Sequence, residues 1–302
     1  MMDYDTVVQV FFQPAPPDTP TPYPVANARP ARRLRDACEP LAMHAVWSRM
    51  TNERLAAQGL NFLTGYVWGR AASLGEPPAS LVVAAFAAFD AGLLTGLYEE
   101  ARSHINRAAL LAIRDEATIA SLQQILGDED VTFAVATLRR GLAAADATGR
   151  ALFSGLLSLP WPEDPLGQLW RACDMVREHR GDSHIAAYIT AGFDPVAMNI
   201  LTELYVGMPL GSYTASRGWS PDTIAATATR LQAQGLVSDG ALTPEGLRIR
   251  DEIEEHTDAM EQPIIDAIGS DLDRLLEQLN RWSAACIAAG AFPPNDLKRA
   301  AG

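Results

Sequence analysis

Apolar residues recur at helical spacing along most of the chain, and breaks in that rhythm mark its elements. Between Pro30 and about Leu126 the pattern predicts helices throughout. One is expected over roughly Arg32–Met50, another from Asn52 or Gly59 to about Ala72, and an Ala-rich one over Ala79–Phe89. A short helix starts at Asp90, and a longer one covers residues 101–126, closed by Gly127. A connecting helix follows from Val131 to about Ala145. Pro160, Pro162 and Pro165 then impose a rigid corner. The next helix starts near Leu166, and Gly181 predicts a bend in it, because glycine lowers helix stability by about 1 kcal/mol against alanine. At 100° per residue, Leu169, Cys173, Val176 and Ala187 share one side of it, and Arg180 and His184 interrupt that apolar stripe. Ionisable groups so placed require partners or a ligand.

Past this helix, Asp194-Pro195 opens a helix to about Val206, a short one covers Leu210–Ser216, and Ser220-Pro221-Asp222 starts a third. Leu236-Val237, the turn Ser238-Asp239-Gly240 and Ala241-Leu242 read as a tiny hairpin. Thr243-Pro244-Glu245 caps a long helix to about Met260, before Pro263. Three helices, a hairpin and a helix is the winged-helix order. At the other end, Pro14, Pro16, Pro17, Pro20, Pro22, Pro24 and Pro30 predict an extended arm, preceded by Val7–Phe12 as a short strand or docking segment.

A weak internal repeat relates Phe89-Asp90 and Thr95-Gly96-Leu97-Tyr98 to Phe193-Asp194 and Thr202-Glu203-Leu204-Tyr205, with Arg70 corresponding to Arg180. The expected fold is therefore mainly α, two related winged-helix-like halves with small β-hairpin wings. The expected division is an arm over 1–30, an N-terminal helical domain over 31–130, a connector over 131–165 and a C-terminal winged-helix domain over 166–302.

Charge changes what such a fold is expected to do. Acids outnumber bases 37 to 24, a net charge of −13, which repels nucleic-acid phosphates and anionic membranes at long range. Lys298 is the only lysine, the signature of compositional bias rather than of a basic patch. Cys38, Cys173 and Cys286 are far apart in sequence and form no CxxC pair. With no basic n-region and no spanning apolar run, the chain reads as cytoplasmic.

At these residues the chain resembles a MarR-type winged-helix domain and, more closely, a mainly actinobacterial family of helix-turn-helix proteins, over roughly Arg32–Gly269. The family pattern is matched by Leu169, Trp170, Arg177, Glu178, His179, Arg180, Gly181, Asp182 and His184, with Ser183 where glycine is usual, and by Ser216–Trp219. The resemblance implies a fold and a suspect motif, and no chemistry.

The candidate ligand-binding residues are Arg180 and His184, with Arg70, Glu178, His179 and Asp182, in a pocket between the halves. A guanidinium grips a carboxylate or phosphate, and an imidazole donates or accepts beside it. The expected partner is a small molecule, with an anion as first candidate. An internal ion-pair network is the competing reading. For DNA, the third C-terminal helix offers Thr223, Thr227, Arg230 and Gln234, a thin footprint beside Asp239 at the wing tip and a following acidic helix. His179 and His184 are five residues apart, about 140° around a helix, and do not aim at one metal ion. Hydrolase and phosphate-loop motifs are absent, no residue is assigned as catalytic, and no cofactor is named. An acid/base set of Glu178, Asp182 and His184 is the enzymatic alternative. The terminal helices, from Thr243 and over Ile264–Ala289, could supply a homodimer interface.

Overall fold

The computed structural model describes residues 3–16 and 18–301; Met1, Met2, Pro17 and Gly302 lie outside them. In chain order the helices are α1 (Tyr4–Phe11), α2 (Tyr23–Ala26), α3 (Pro30–Ala42), α4 (His44–Trp47), α5 (Arg49–Ala56) and α6 (Phe62–Ala71), then α7 (Ala79–Phe86), α8 (Ala91–His104), α9 (Arg107–Leu126), α10 (Thr132–Leu142) and α11 (Ala151–Leu157). The remainder is α12 (Pro165–Thr190), α13 (Pro195–Tyr205), α14 (Ser212–Ala215), α15 (Pro221–Ala233), a hairpin of β1 (Val237–Ser238) and β2 (Ala241–Leu242), α16 (Pro244–Ile268), α17 (Leu272–Ala288) and α18 (Asp296–Ala301). The protein is mainly α with one small wing, as its pattern predicts. In the hairpin Val237 pairs with Leu242 and Ser238 with Ala241. Asp239 and Gly240 turn it with φ of 52° and 75°, the left-handed pair a two-residue loop requires.

Helix starts follow their caps. Asp164, Asp194, Ser220 and Thr243 each accept a backbone N–H of the first turn, and each is followed by a proline, which has no N–H to lose there. Such a cap contributes on the order of 1 kcal/mol. Around α12 the helices α3, α10, α11 and α16 pack directly, and α17 closes the far side of α3. Leu34, Leu41, Leu138, Leu169, Trp170, Leu275 and Trp282 lie within this bundle core. A second cluster, holding Trp68, Phe86, Tyr98 and Leu110, lies under α6–α9; a third, holding Ile200, Leu231 and Ile253, lies under the wing. The apolar side of α17 is buried within the chain.

Several local expectations are corrected. Val7–Phe12 is not a strand: α1 is helical, capped by Asp3, and Phe11 and Phe12 pack on Trp47. The Pro-rich arm contains one helical turn, α2, opened by Pro22 and carrying Pro24 near its start. The helix expected over 32–50 is divided twice, at Met43, where ψ moves to 8°, and at Ser48, which leaves the helical region at ψ 136° to cap α5. The one over 101–126 breaks at Ile105, which is extended, and restarts at the cap Asn106. Gly181 does not interrupt α12, which is continuous, and its burial among four helices outweighs a propensity deficit of about 1 kcal/mol. Nor does Pro263 end α16, whose following residues Ile264, Ile265 and Ile268 are fixed in the bundle core.

Candidate ligand-binding site

Between the N-terminal helices on one side and α12–α14 and α16 on the other lies a cavity of about 160 Å³. An engineered apolar cavity of roughly that size accepts benzene. Part of its lining is aromatic: Tyr66 from α6, Phe86 from α7, Phe89 from the following loop, Tyr188 from α12 and Tyr213 from α14. Arg32, Arg35, Arg70, Arg177, Arg180, Arg217 and Arg250 line it too, set against Glu178, Glu254 and Asp182, and the two kinds meet where Arg70 lies over the Tyr66 and Phe86 rings. A chain of net charge −13 thus turns a surplus of positive charge inward at this point.

Most of these arginines are held by buried carboxylates. Arg70 grips Glu178 with two bonds of 2.8 Å and donates to Tyr66 Oη. Arg177 joins Glu178 to Glu39, at 2.8 and 3.0 Å. Arg180 donates to Glu254 and, at 2.8 Å, to Asp258 Oδ1. Arg250 bonds the other Glu254 oxygen at 2.7 Å. Burial alone would raise Glu254, but Arg180, Arg250 and Arg32 hold it well below the usual carboxylate range. Likewise the guanidiniums of Arg70 and Arg177 hold Glu178 low against its burial.

Arg217 is different. No carboxylate lies within ion-pair distance of it among the described residues. It stacks on Tyr213 and Phe89, with its carbon Cζ 4.2 and 5.0 Å from the ring centres, touches Ser216 Oγ at 3.4 Å, and leaves Nε without a partner. Its position is fixed by contacts with the loop between α7 and α8. The Arg217 carbonyl accepts from Asp90 N, while Trp219 Nε1 and Asn199 Nδ2 both donate to the Ala88 carbonyl. That loop is reached through Ala87 at φ 50°, a conformation alanine seldom adopts. Gly218 cannot be replaced cheaply: its φ is +86° and an added Cβ would stand 2.4 Å from Leu93 Cδ2.

His184 lines the same cavity. The Thr257 hydroxyl donates to the Ile253 carbonyl, so its oxygen accepts from His184 Nδ1–H at 3.1 Å. Nε2 therefore keeps its lone pair. Burial, reinforced by the neighbouring Arg250, pushes the ring down to about 3, so it stays neutral. Asp182 accepts from Phe153 N at 3.0 Å, and burial pushes it up to about 7 despite that bond.

Of the residues expected at the site, Arg70, Glu178, Arg180, Asp182 and His184 come together. His179 does not. It faces the opposite side of α12, between Glu261 at 2.7 Å and the Asp146 carbonyl at 3.2 Å, and both ring nitrogens meet acceptors. Ser183, the departure from the motif, joins that cluster by bonding Glu261 and accepting from Arg150. The local pattern does not reveal Arg32, Arg35, Arg217 or Arg250 as part of the cavity, since helices distant in sequence supply them.

The DNA-facing candidates are poorly displayed. On α15, Thr227 is buried, Thr223 bonds the capping Ser220, and Arg230 pairs with Asp194, leaving Gln234 exposed beside Thr229 and Gln232. A helix-turn-helix family model matches residues 31–293. The chain belongs to that helix-turn-helix family. No curated protein and no solved structure matches it. In this family member, no single helix among the described residues is long and apolar enough to cross a membrane, and no three His, Cys, Asp or Glu residues among them gather as a metal-holding group.

Proposed function

We propose that this helix-turn-helix family member is a non-enzymatic cytoplasmic sensor that binds a small organic anion in the cavity between two winged-helix-like halves, the second of MarR type. The carrying observation is Arg217, a guanidinium on the cavity wall with aromatic faces on two sides and no acid to neutralise it. Arg217 is half-buried and its Nε is shielded from solvent without a partner, so an anionic ligand would supply the acceptor it lacks. The aromatic part of the lining supplies a flat apolar surface, and His184 Nε2 supplies an acceptor for a donor group on the ligand. Duplication is supported by Asp90 and Asp194, which cap α8 and α13 at corresponding places. The cytoplasmic setting is consistent with three buried free thiols.

Titration calorimetry with benzoate and with inorganic phosphate tests the reading. Saturable binding that Arg217→Ala weakens about tenfold or more is expected; a bidentate charged contact commonly contributes on that scale. Equal binding by both proteins removes Arg217 from the site. A DNA-binding regulator is the second reading, favoured by family membership and by the exposure of α15.

A further inference from the structure

Arg32 and Arg35 lie one turn apart on α3, and both line the cavity. Beyond their acid partners, each donates to the backbone of α18: Arg32 Nη2 to the Ala300 carbonyl at 2.6 Å, and Arg35 Nη1 to the Arg299 carbonyl at 2.5 Å. Carbonyls in the last turn of a helix have no intrahelical donor and carry partial negative charge. Two adjacent guanidiniums therefore meet two adjacent oxygens, the arrangement a carboxylate or phosphate would present.

The acids around this pair are shared. Asp36 bonds both members of the pair, at 2.9 Å to Arg32 Nε and to Arg35 Nη1; Glu254, which holds Arg32, also holds Arg180 and Arg250; and Glu39, beside Arg35, also holds Arg177. Arg35 Nη2 pairs with Glu39 Oε2 at 3.2 Å without hydrogen-bond alignment, and burial pulls that guanidinium below its ordinary value because the fixed carboxylates do not offset the lost water. The hold on α18 is slight. Ala300 and Ala301 are its contribution to a small apolar cluster with Tyr205 and Val206, and the helix lies beyond residue 293, where the family match ends.

We propose that Arg32 and Arg35 form an oxyanion subsite of the cavity, and that α18 occupies this subsite as a built-in competitor which a bound anion displaces. The inference rests on the cavity being an anion site. A ligand then has to break two carbonyl contacts to reach the pair, so α18 sets the affinity threshold of the sensor. Displacement also frees Ala300 and Ala301 from Tyr205 at the end of α13, which carries occupancy of the cavity towards the wing.

The test uses the whole 302-residue chain and Ala300→Pro, which removes a backbone donor and disrupts the last turn of α18 without adding charge. Benzoate and inorganic phosphate are titrated separately at fixed ionic strength, so that a carboxylate and a phosphate source are distinguished. The expected result is at least tenfold tighter binding of one probe by Ala300→Pro. In the unsubstituted protein, saturation with that probe should accelerate hydrogen exchange of the amides over 297–301. Equal affinity in the two proteins, with exchange over 297–301 unchanged on saturation, overturns the competitor while leaving the cavity as a binding site. Absence of saturable binding in both proteins overturns the cavity reading and the competitor with it. Should Ala300→Pro fail to fold, the exchange measurement on the unsubstituted chain decides alone.

Discussion

Asp182 is the group on the cavity wall whose charge changes closest to neutrality. Its native carboxyl is pushed up to about 7 by burial, with Glu178 adding to the rise and the Phe153 N–H opposing it, against an ordinary value near 3.8. Between those values the native state binds the extra proton. Asp182 therefore favours the fold most at low pH, and its contribution falls as pH rises from about 4 to about 7, levelling off beyond. His184, pushed down to about 3, acts in the opposite sense: stability rises as pH climbs from about 3 to about 6.5, where the unfolded ring loses its proton. The two trends overlap, so Asp182 is isolated by difference. Asp182→Asn keeps an acceptor for Phe153 N and abolishes the titration. Urea unfolding of both proteins at several pH values should show the substituted protein gaining on the original as pH rises from 4 to 7. A pH-independent difference would place the Asp182 proton elsewhere. At this scale the sequence exposed the problem and not its solution. Arg180 and His184 were visible as charges on an apolar stripe, but Glu254, Thr257 and Asp258 lie more than seventy residues away. Helical periodicity speaks only to neighbours within a turn or two.

At the scale of elements, caps were the most legible feature, because a cap is a local arrangement of one side chain and the next turn. The three expected cap-proline starts, at Asp194, Ser220 and Thr243, fell where the residues place them, and a fourth at Asp164-Pro165 opens the helix out of what reads as a corner. Interruptions were less legible: Gly181 and Pro263 both sit inside continuous helices whose tertiary packing overrides local preference. This contrast makes two glycine substitutions diagnostic. At Gly181 an added Cβ meets nothing nearer than Glu178 Oε2 at 3.8 Å, ordinary contact. Gly181→Ala should therefore stabilise the protein by up to about 1 kcal/mol in urea unfolding. At Gly246, in the first turn of α16, the same methyl would stand 2.0 Å from the Leu236 carbonyl oxygen, because the base of the wing crosses the helix there. Gly246→Ala should destabilise by about 1–3 kcal/mol or more, since backbone has to move on both sides. Opposite signs are expected from one chemical change; a loss at Gly181 as large as that at Gly246 would mean α12 needs a glycine for a reason other than space.

For the whole molecule, the arginines are arranged differently from those of a typical nucleic-acid-binding surface. Arg32, Arg35, Arg114, Arg171, Arg180 and Arg250 are all buried, so much of the positive charge in a chain of net −13 is withdrawn from the exterior. Glu39, Glu178, Asp182, Glu203, Glu254, Asp258 and Glu261 are buried with them, so the exterior stays as acidic overall as the composition implies, and no spacing rule in the sequence revealed that sorting. On α15 the exposed Arg230 is paired with Asp194, and Arg248 near the start of α16 is held by Glu245 and Glu252. Each phosphate contact would have to break such a pair, and each adds slightly less than one to the salt slope of binding. Anisotropy titrations with fragments of the source genome, over about 50–200 mM salt, should give a shallow slope of about two phosphates or fewer, with affinity no tighter than the roughly micromolar range of non-specific binding. Arg230→Ala should leave it unchanged. A steep slope with one fragment preferred a thousandfold would instead identify a specific operator complex. The helix-turn-helix surface would then be in use, and the cavity would be read as its effector site. A shallow slope would remove the operator reading and leave the proposed anion cavity, where Arg217 and Tyr213 meet Phe89 of the N-terminal loop, to be decided by ligand titration alone.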